Sequence, residues 1–335
     1  MKVVRFIGTR IGQLLLVLFA VTLLTFVGVN TLGDPLVNIL GPLAKVDCSA
    51  VEAGEAEDFS SQGGTSEGDC AIVAERRAEF NLDDNVFVRY GKWVGDAVQG
   101  DFGSSFSQQR PVSDIIKEKL PVTLRMAAFA LVLSLLISVP WALLAAFRAN
   151  RAFDRGSTVI SFGMLAVPNF AVGVILLFLF AVKLQWLPSR YEPGTTYSQF
   201  KSLFLPSLTL ALPLAATYQR LLRTDLIGTL QEDFVHMARA KGMPPRHIMT
   251  RHALRPSMFS MITVFGINTG ALLGGTLVIE QIFSVPGIGS EAVKSIVRDD
   301  FPTVLAIVLI IVTAFVVMNM LVDLLYTFLD PRVRS

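Results

Sequence analysis

The chain has 335 residues, of which 52% are hydrophobic and 17% are charged, and its mean hydropathy is +0.56. A soluble domain needs more polar surface than this composition supplies, so an integral membrane protein is favoured over a soluble globular one. The net charge of +2 gives no electrostatic basis for a nucleic-acid partner.

Long segments without charged residues predict six transmembrane helices, because a hydrocarbon layer about 30 Å thick requires about 20 apolar helical residues. The segments lack the alternation of barrel strands, so the predicted fold is all-helical. The first segment, between Arg10 and Asp34, is too long for the apolar region of a signal peptide and is expected to remain as an anchor. The other spans are predicted at residues 122–147, 157–182, 203–222, 258–283 and 302–326.

The span predicted at 203–222 is the weakest of the six, since it is short and contains Pro206 and Pro213. In the fifth predicted span, Gly266, Gly270 and Gly274 recur at four-residue spacing. Such a stripe permits close helix packing, and the pattern leaves open whether the packing is static or sliding.

The distribution of basic residues predicts the orientation of these spans, because cytoplasmic loops carry an excess of Lys and Arg. The most basic loop, at residues 223–257, is therefore placed in the cytoplasm together with both termini. The chain is accordingly divided into a first span at 1–32, an external segment at 33–120 and a five-helix core at 121–335.

The external segment contains an acidic insert at about 44–78 and the only two cysteines of the chain, Cys48 and Cys70. The insert is rich in Gly, Ser and Ala and is too polar to form a core of its own. In an oxidising compartment, a structural disulfide is favoured over a redox switch or a metal pair. Aromatic residues return after Phe80, which predicts short helices at the outer membrane face.

The basic loop has the clearest local pattern of the chain. Asp233 is predicted to cap a helix that begins at Phe234 and stops at Gly242, because a proline pair follows and prevents its continuation. A second short helix is predicted at 246–254. Two short helices joined by a sharp turn are therefore expected to project into the cytoplasm.

The first of these helices has two interpretations. It could enter a groove of a moving partner through the small residues Ala238 and Ala240, or it could be an ordinary solvated basic loop, and spacing alone leaves both open. The docking interpretation assigns an ATPase-coupling role to Asp233, Phe234, His236, Ala238, Arg239, Ala240, Lys241 and Gly242.

The sequence carries no motif for chemistry. It lacks the phosphate-binding GxxxxGK[ST] loop, the HExxH motif and the GxSxG motif. The three histidines of the basic loop, His236, His247 and His252, do not have the spacing of metal ligands. Glu280 and Asp323 lie near span ends, where a boundary position or a salt bridge with a partner is favoured. We therefore expect no catalytic site, no metal and no cofactor.

Five stretches of the sequence, taken together, resemble one family. They are Ala238-Arg239-Ala240-Lys241-Gly242 with Arg251-His252-Ala253-Leu254-Arg255; Gly274-Gly275-Thr276 through Phe283 with Pro286-Gly287-Ile288-Gly289; Gly100-Asp101-Phe102-Gly103-Ser104-Ser105 with Arg110-Pro111-Val112; Leu205-Pro206-Ser207-Leu208-Thr209-Leu210; and Leu324-Leu325-Tyr326 through Arg332. In this order they resemble the peptide/nickel-type permease subunits of bacterial ABC importers, of the dipeptide and oligopeptide class.

The resemblance implies a type I importer permease in the bacterial inner membrane. A second homologous permease, two cytoplasmic ATPases and an external binding protein would be its partners, and peptides would be its substrate. The long external segment resembles the first permease of such a pair. Two positions depart from the family pattern, since His236 stands where the general EAA loop has glutamate and Asp300 where the peptide branch often has an aromatic residue.

Three alternatives to this function remain at the level of sequence. The same assembly could import nickel, glutathione or sugars, because binding proteins usually determine the cargo. A stand-alone secondary transporter or channel would show inverted repeats and broken helices with paired polar residues, and no clear repeat is visible. A membrane scaffold would have no need for the Ala238–Gly242 loop.

Overall fold

The computed structural model describes residues 2–32 and 84–329. Cys48, Cys70 and the acidic insert lie outside these ranges, so the predicted disulfide stays a prediction. Every regular element within the described ranges is helical, and the one β-type contact there is an antiparallel bridge between Ser104 and Pro111. The predicted all-helical fold class is confirmed.

Eleven α-helices make up the described part of the chain. In order they are α1 Lys2–Leu32, α2 Val86–Val98, α3 Val112–Phe147, α4 Ala152–Ala166, α5 Asn169–Leu176, α6 Thr196–Thr229, α7 Asp233–Ala240, α8 Pro245–His247, α9 Leu254–Ile282, α10 Ile288–Val297 and α11 Phe301–Leu329. Two π-helical segments extend this series, since Leu177–Lys183 continues α5 and Ile248–Ala253 joins α8 to α9.

Several of these helices are apolar enough to cross a membrane. α3, α6 and the Phe301–Leu321 part of α11 qualify by themselves, and two bent helix pairs raise the number to five. The pairs are Ala152–Ala166 with Asn169–Lys183, and Pro245–Leu272 with Gly274–Ile282. α1 contributes a shorter apolar stretch at Gly12–Gly28. Each of the six predicted spans thus coincides with an apolar helix or helix pair.

The third apolar segment differs from the single helix predicted at 157–182. α4 and the helix that follows it meet at an angle of 102°, and the break lies at Val167 and Pro168. A proline disfavours the helical conformation of the preceding residue, and Val167 is accordingly extended, with ψ 128°. The span predicted at 157–182 thus corresponds to two helices with a break between them.

The fourth apolar segment differs in the opposite sense. α6 was predicted to be the weakest span, yet it continues from Thr196 to Thr229 with Pro206 and Pro213 in its interior. In the most apolar stretch of α6, 56% of the residues are buried, against 28% in that of α3 and 22% in that of α11. α6 thus continues through the turns in which its two prolines remove a backbone donor, as α3 does at Pro121 and Pro140.

The helices fall into two compact units. The first contains Met1–Glu118 and Ala292–Val312. Within it α1 packs against α2, where the Tyr90 hydroxyl lies 2.7 Å from Oγ1 of Thr22 and the Tyr90 ring meets the edge of Phe26. α2 is the short helix predicted after Phe80.

The second unit contains Lys119–Glu291 and Thr313–Ser335. α6 is its central element and packs against α4, α5 and α9. Its buried residues include Leu205, Leu210 and Tyr218. The basic loop between α6 and α9 belongs wholly to this unit.

Candidate functional site

The helix of the basic loop, α7, begins one residue earlier than predicted. Glu232 is its N-cap residue, and the Glu232 carbonyl accepts hydrogen bonds from the backbone N–H groups of Val235 and His236 at 3.0 and 3.2 Å. Asp233 lies in the first turn, where its charge favours the N-terminal end of the helix dipole. The prediction that Asp233 caps the helix with its side chain was wrong.

α7 ends at the glycine that the sequence indicated. Gly242 has φ +74°, a left-handed conformation that glycine adopts without strain. Its N–H donates to the Arg239 carbonyl at 2.9 Å, and the N–H of Met243 donates to the Ala238 carbonyl at 3.3 Å. This is a Schellman ending, which satisfies two carbonyls of the last turn and reverses the chain sharply.

A small apolar cluster closes the loop on itself. Val235, Ala238 and Ile248 are each at most 5% exposed, and Leu230 and Met243 pack against them. Ala238 therefore packs against the second helical segment of the same loop. The docking interpretation had expected it to face outward, toward a partner. A larger side chain at this position would have to displace its buried neighbours Val235 and Ile248.

Replacing Ala238 by leucine is expected to destabilise the loop by about 1–3 kcal/mol, because there is no space for three more carbons beside Val235 and Ile248. Ala240 is exposed on the same helix, and Ala240→Leu is expected to stay within about 0.5 kcal/mol of the natural protein. The rate of tryptic cleavage in the loop of the purified protein measures the difference. Equal cleavage of the two variants would contradict the buried position of Ala238.

The outward surface of α7 carries apolar side chains as well as polar ones. Phe234 is 40% exposed and Met237 is 62% exposed, three positions apart on one face of the helix. The other exposed residues of the predicted set are Asp233, His236, Arg239, Ala240, Lys241 and Gly242. Phe234 and Met237 thus form the apolar part of the exposed surface of α7, and polar side chains surround them.

The loop is firmly attached to both flanking helices. Oγ1 of Thr229, the last residue of α6, lies 2.9 Å from Oγ of Ser257 on α9. Beneath this contact, Leu226, Met249 and Ala253 are buried in one apolar cluster that joins α6, the π-helical segment and α9. The π-helical segment, on which Val235 and Ala238 of α7 pack through Ile248, thus joins α7 to α6 and α9.

The second helical element of the loop is longer than predicted. The helix expected at 246–254 does not end there, since α8 passes through the π-helical segment Ile248–Ala253 directly into α9. The rings of His247 and His252 meet edge to face at 5.6 Å. Among the described residues no group of three or more His, Cys, Asp or Glu side chains is placed to hold a metal ion.

Comparison with known proteins identifies the chain at the level of the family. Residues 138–335 match the family described as "Binding-protein-dependent transport system inner membrane component". The match covers more than half of the chain and includes the basic loop with its flanking helices. The chain belongs to this family.

Two relatives show how far the similarity extends. The permease is 37% identical over 262 residues to the oligopeptide transport system permease protein AppB of Bacillus subtilis, which covers 76% of the permease and 83% of AppB. It is 32% identical over 326 residues to the glutathione transport system permease protein GsiC of Escherichia coli K12, which covers 97% of each chain. The resemblance to permease subunits of ABC importers is thereby confirmed.

One solved structure is also similar. A chain in the crystal structure of an amino acid ABC transporter with histidines aligns at 16% identity with a TM-score of 0.48. The alignment covers 64% of the permease and 94% of that chain.

The glycine stripe of α9 makes one close helix contact in the permease. A Cβ on Gly270 would lie 3.1 Å from the Phe315 ring and 3.2 Å from the Phe315 carbonyl oxygen on α11. Gly266 is buried, whereas Gly274 is exposed and has no atom within 4 Å of its Cβ position. The close approach is thus at Gly270, and the static and the sliding interpretation of the stripe both stay predictions.

Glu280, which the sequence placed at the edge of a span, has a structural role that the sequence did not indicate. Glu280 is fully buried, and its carboxylate accepts hydrogen bonds from the Thr123 hydroxyl at 2.6 Å and from the Ser290 N–H at 2.7 Å. The Thr123 hydroxyl oxygen in turn accepts from the Ile288 N–H at 2.8 Å. These bonds fix the turn after α9 onto α3. Asp323 is not comparable, because its side chain lies outside the described part.

The glycines near Glu280 were the signal that could have revealed this site. A Cβ on Gly287 would overlap the Glu280 carboxylate and the Thr123 hydroxyl. A Cβ on Gly289 would lie 2.9 Å from the Cα of Leu277. The Pro-Gly-Ile-Gly run therefore marks a turn whose backbone lies directly against a buried carboxylate.

Asp300 anchors a second turn, within the other unit of the permease. It is fully buried, and its carboxylate accepts hydrogen bonds from the Ser105 hydroxyl, from the Ser107 hydroxyl at 2.8 Å and from the Phe106 N–H at 3.0 Å. The departure from an aromatic residue at this position thus has a structural reason. The carboxylate satisfies donors of the turn that runs from Gly103 to Pro111.

Proposed function

We propose that this permease forms half of the translocation pathway of an ATP-driven importer for di- and oligopeptides. The similarity to AppB, an oligopeptide transport system permease protein, supports this substrate class. The observation that carries the coupling step is α7, a helix with a Schellman ending and with exposed Phe234 and Met237, which packs through Val235 and Ala238 on Ile248 of the π-helical segment between α6 and α9.

The partners follow from what the sequence lacks and what the loop offers. The chain has no phosphate-binding loop, so ATP hydrolysis belongs to cytoplasmic ATPases, two in each complex. A second homologous permease would complete the pathway, and an external binding protein would deliver the peptide. The basic residues of the loop and of both termini support a multi-pass arrangement in the inner membrane with both termini in the cytoplasm.

The mechanism is alternating access driven through α7. Phe234 and Met237 enter an apolar groove on the ATPase, and Arg239 and Lys241 pair with acidic side chains around it. When ATP closes the ATPase pair, α7 is displaced, and α6 and α9 tilt because the apolar cluster and the Thr229–Ser257 contact hold them to the loop. Hydrolysis releases the ATPases and resets the helices.

Replacing Phe234 and Met237 together by serine is expected to weaken ATPase binding at least about tenfold, because two buried anchors are lost from a small interface. The permease would be reconstituted in liposomes with its partner permease, both ATPases and the binding protein, and labelled peptide uptake would be measured beside ATPase retention. Gln231→Ala plus Thr250→Ala changes exposed polar residues of the same loop and is the matched control. Unchanged uptake and unchanged retention in the serine variant would rule out α7 as the coupling element.

Glutathione is the second candidate substrate, because GsiC aligns with nearly the full length of the chain. Competition between labelled oligopeptide and unlabelled glutathione in the same liposomes distinguishes the two, and nickel ions or a sugar serve as further competitors. Liposomes that hold the permease alone test the alternative that the protein is a stand-alone secondary transporter or channel. Uptake there without ATPases and ATP would identify a stand-alone transporter.

A further inference from the structure

A row of hydrogen-bonded polar side chains joins α4 to the last third of α6. We call it the α4–α6 seam, and it consists of Asp154, Ser157, Ser161, Gln219 and Arg223. The Asp154 carboxylate accepts from Nε and Nη2 of Arg223, the latter at 2.6 Å. The Gln219 amide donates to the Ser157 hydroxyl at 3.0 Å and accepts from the Ser161 hydroxyl at 2.7 Å.

The seam is buried and its members are mutually satisfied. Asp154, Ser157, Ser161 and Gln219 are each at most 4% exposed, and the Arg223 side chain is 21% exposed. The three α4 residues are spaced to lie on one face, and the two α6 residues are one turn apart. Sliding α4 along α6 would leave a buried charge and a buried amide without partners, which is strongly unfavourable. The seam therefore behaves as a rigid joint.

Asp154 extends the joint to the turn before α4. Its Oδ2 atom also accepts a hydrogen bond at 2.8 Å from the N–H of Asn150, which has φ +65°. The left-handed residue and the start of α4 are thus held by the same carboxylate that binds α6. One side chain fixes the turn, α4 and α6 together.

Two positions at which helical hydrogen bonding is interrupted, Val167 and Pro213, lie equally far along the chain from the seam. The break at Val167 begins six residues beyond Ser161 on α4, and Pro213 lies six residues before Gln219 on α6. The seam pairs the two helices in opposite chain directions, since 154 meets 223 and 161 meets 219. Six helical residues span about 9 Å in each helix, so these two positions face each other at one level.

On the far side of Val167 and Pro213 from the seam, a different contact joins α5 to α6. A Cβ on Gly173 of α5 would lie 3.1 Å from Cγ2 of Thr209 on α6. α5 therefore packs on the part of α6 that precedes Pro213, whereas α4 packs on the part that follows it. At Pro213 the α6 backbone lacks one hydrogen bond, and between α4 and α5 the helix is fully broken.

We propose that α4, the part of α6 after Pro213 and α7 form one lever, and that this lever turns about a hinge made by Val167–Pro168 and Pro213. Asp154 and Arg223 are positioning residues that make α4 follow α7. The inference rests on the proposed coupling role of α7, and it adds that the third apolar segment moves in two pieces.

Distances between spin labels test the lever directly. In a background with Cys48→Ser and Cys70→Ser, one label pair is placed within the lever by Val159→Cys and Thr224→Cys. A second pair is placed across the hinge by Ile175→Cys and Thr224→Cys; all three positions are exposed. The complex with its ATPases is measured in lipid nanodiscs without nucleotide and with ATP and vanadate.

The expected result is a constant distance within the lever and a shift of several ångströms across the hinge. A larger shift within the lever than across the hinge, or no shift across the hinge, overturns the proposal. The unlabelled complex is assayed for uptake in parallel. A complex that shows the hinge motion but imports neither peptide nor glutathione would refute the proposed substrate and leave the lever intact.

A functional readout complements the distances. Asp154→Asn is expected to lower the uptake per ATP hydrolysed roughly threefold or more, with ATPase binding unchanged. The exchange Asp154→Arg with Arg223→Asp is expected to restore part of the ratio. A purely structural role would lower assembly and leave the ratio unchanged, so an unchanged ratio in Asp154→Asn overturns the positioning role.

Discussion

Gly287→Ala is expected to destabilise the permease by about 1–3 kcal/mol, the range for overpacking a close-packed site. The added methyl group would overlap the Glu280 carboxylate and the Thr123 hydroxyl. Neither partner can move away without losing hydrogen bonds, because each also binds a backbone N–H of the same turn. The apparent melting temperature of the purified complex should fall by about 2–4 °C for each kcal/mol.

Gly274→Ala is the matched control for this variant. Gly274 lies in α9, which precedes the turn that contains Gly287, and its Cβ position has no atom within 4 Å. A helical glycine is less favourable than alanine by about 1 kcal/mol, so the control should melt at the natural temperature or slightly above it. If both variants melted alike, the Glu280 carboxylate would not lie against Gly287.

Asp300→Asn is expected to loosen the turn from Gly103 to Pro111, whereas the same change at the neighbouring Asp299 is expected to have no effect. Asparagine at 300 keeps the shape but turns an amide toward hydroxyl and N–H donors that now meet the carboxylate. Leaving a buried donor unsatisfied costs about 1–3 kcal/mol. Asp299 is exposed with φ +51°, a conformation that asparagine tolerates well.

The rate of amide hydrogen exchange in the turn, measured on the purified permease, distinguishes these two variants. Faster exchange in the turn is expected for Asp300→Asn, since local opening requires less free energy when its anchor is weakened. Asp299→Asn should exchange as the natural protein does. Identical exchange in the two variants would mean that the carboxylate of Asp300 does not hold the turn.

Local patterns predicted much of the fold, because they depend on neighbours in sequence. The charge-free segments located the apolar helices, since the bilayer thickness sets their length independently of tertiary contacts. The end of α7 at Gly242 was predictable for a similar reason, because glycine conformation and the following prolines act within one turn.

Contacts between distant residues could not be predicted in this way. Glu280 binds Thr123 across 157 positions and Asp300 binds Ser105 across 195, so neither carboxylate shows its burial in its own segment. The inward position of Ala238 depends on Ile248, which belongs to the next helical element. Only an assembled structure distinguishes a small residue that faces a partner from one that packs against its own chain.

The effect of each proline on its helix could not be predicted from the sequence either. Pro168 ends a helix, whereas Pro206 and Pro213 are accommodated inside one. The difference does not reside in the proline itself, which removes a backbone donor at all three positions. The burial of a helix as a whole does not decide the outcome either, since α3 is less buried than α6 and likewise continues through Pro121 and Pro140.

The 102° break between α4 and α5 has a consequence for the order of biosynthesis. Arg223, Gln219 and Thr209, which hold the two pieces against α6, are all translated after the break itself. When residues 152–183 leave the ribosome, none of these partners is yet in the bilayer. The nascent third segment therefore enters the translocon as an apolar stretch whose local break at Val167–Pro168 is present before the contacts that hold its two pieces against α6.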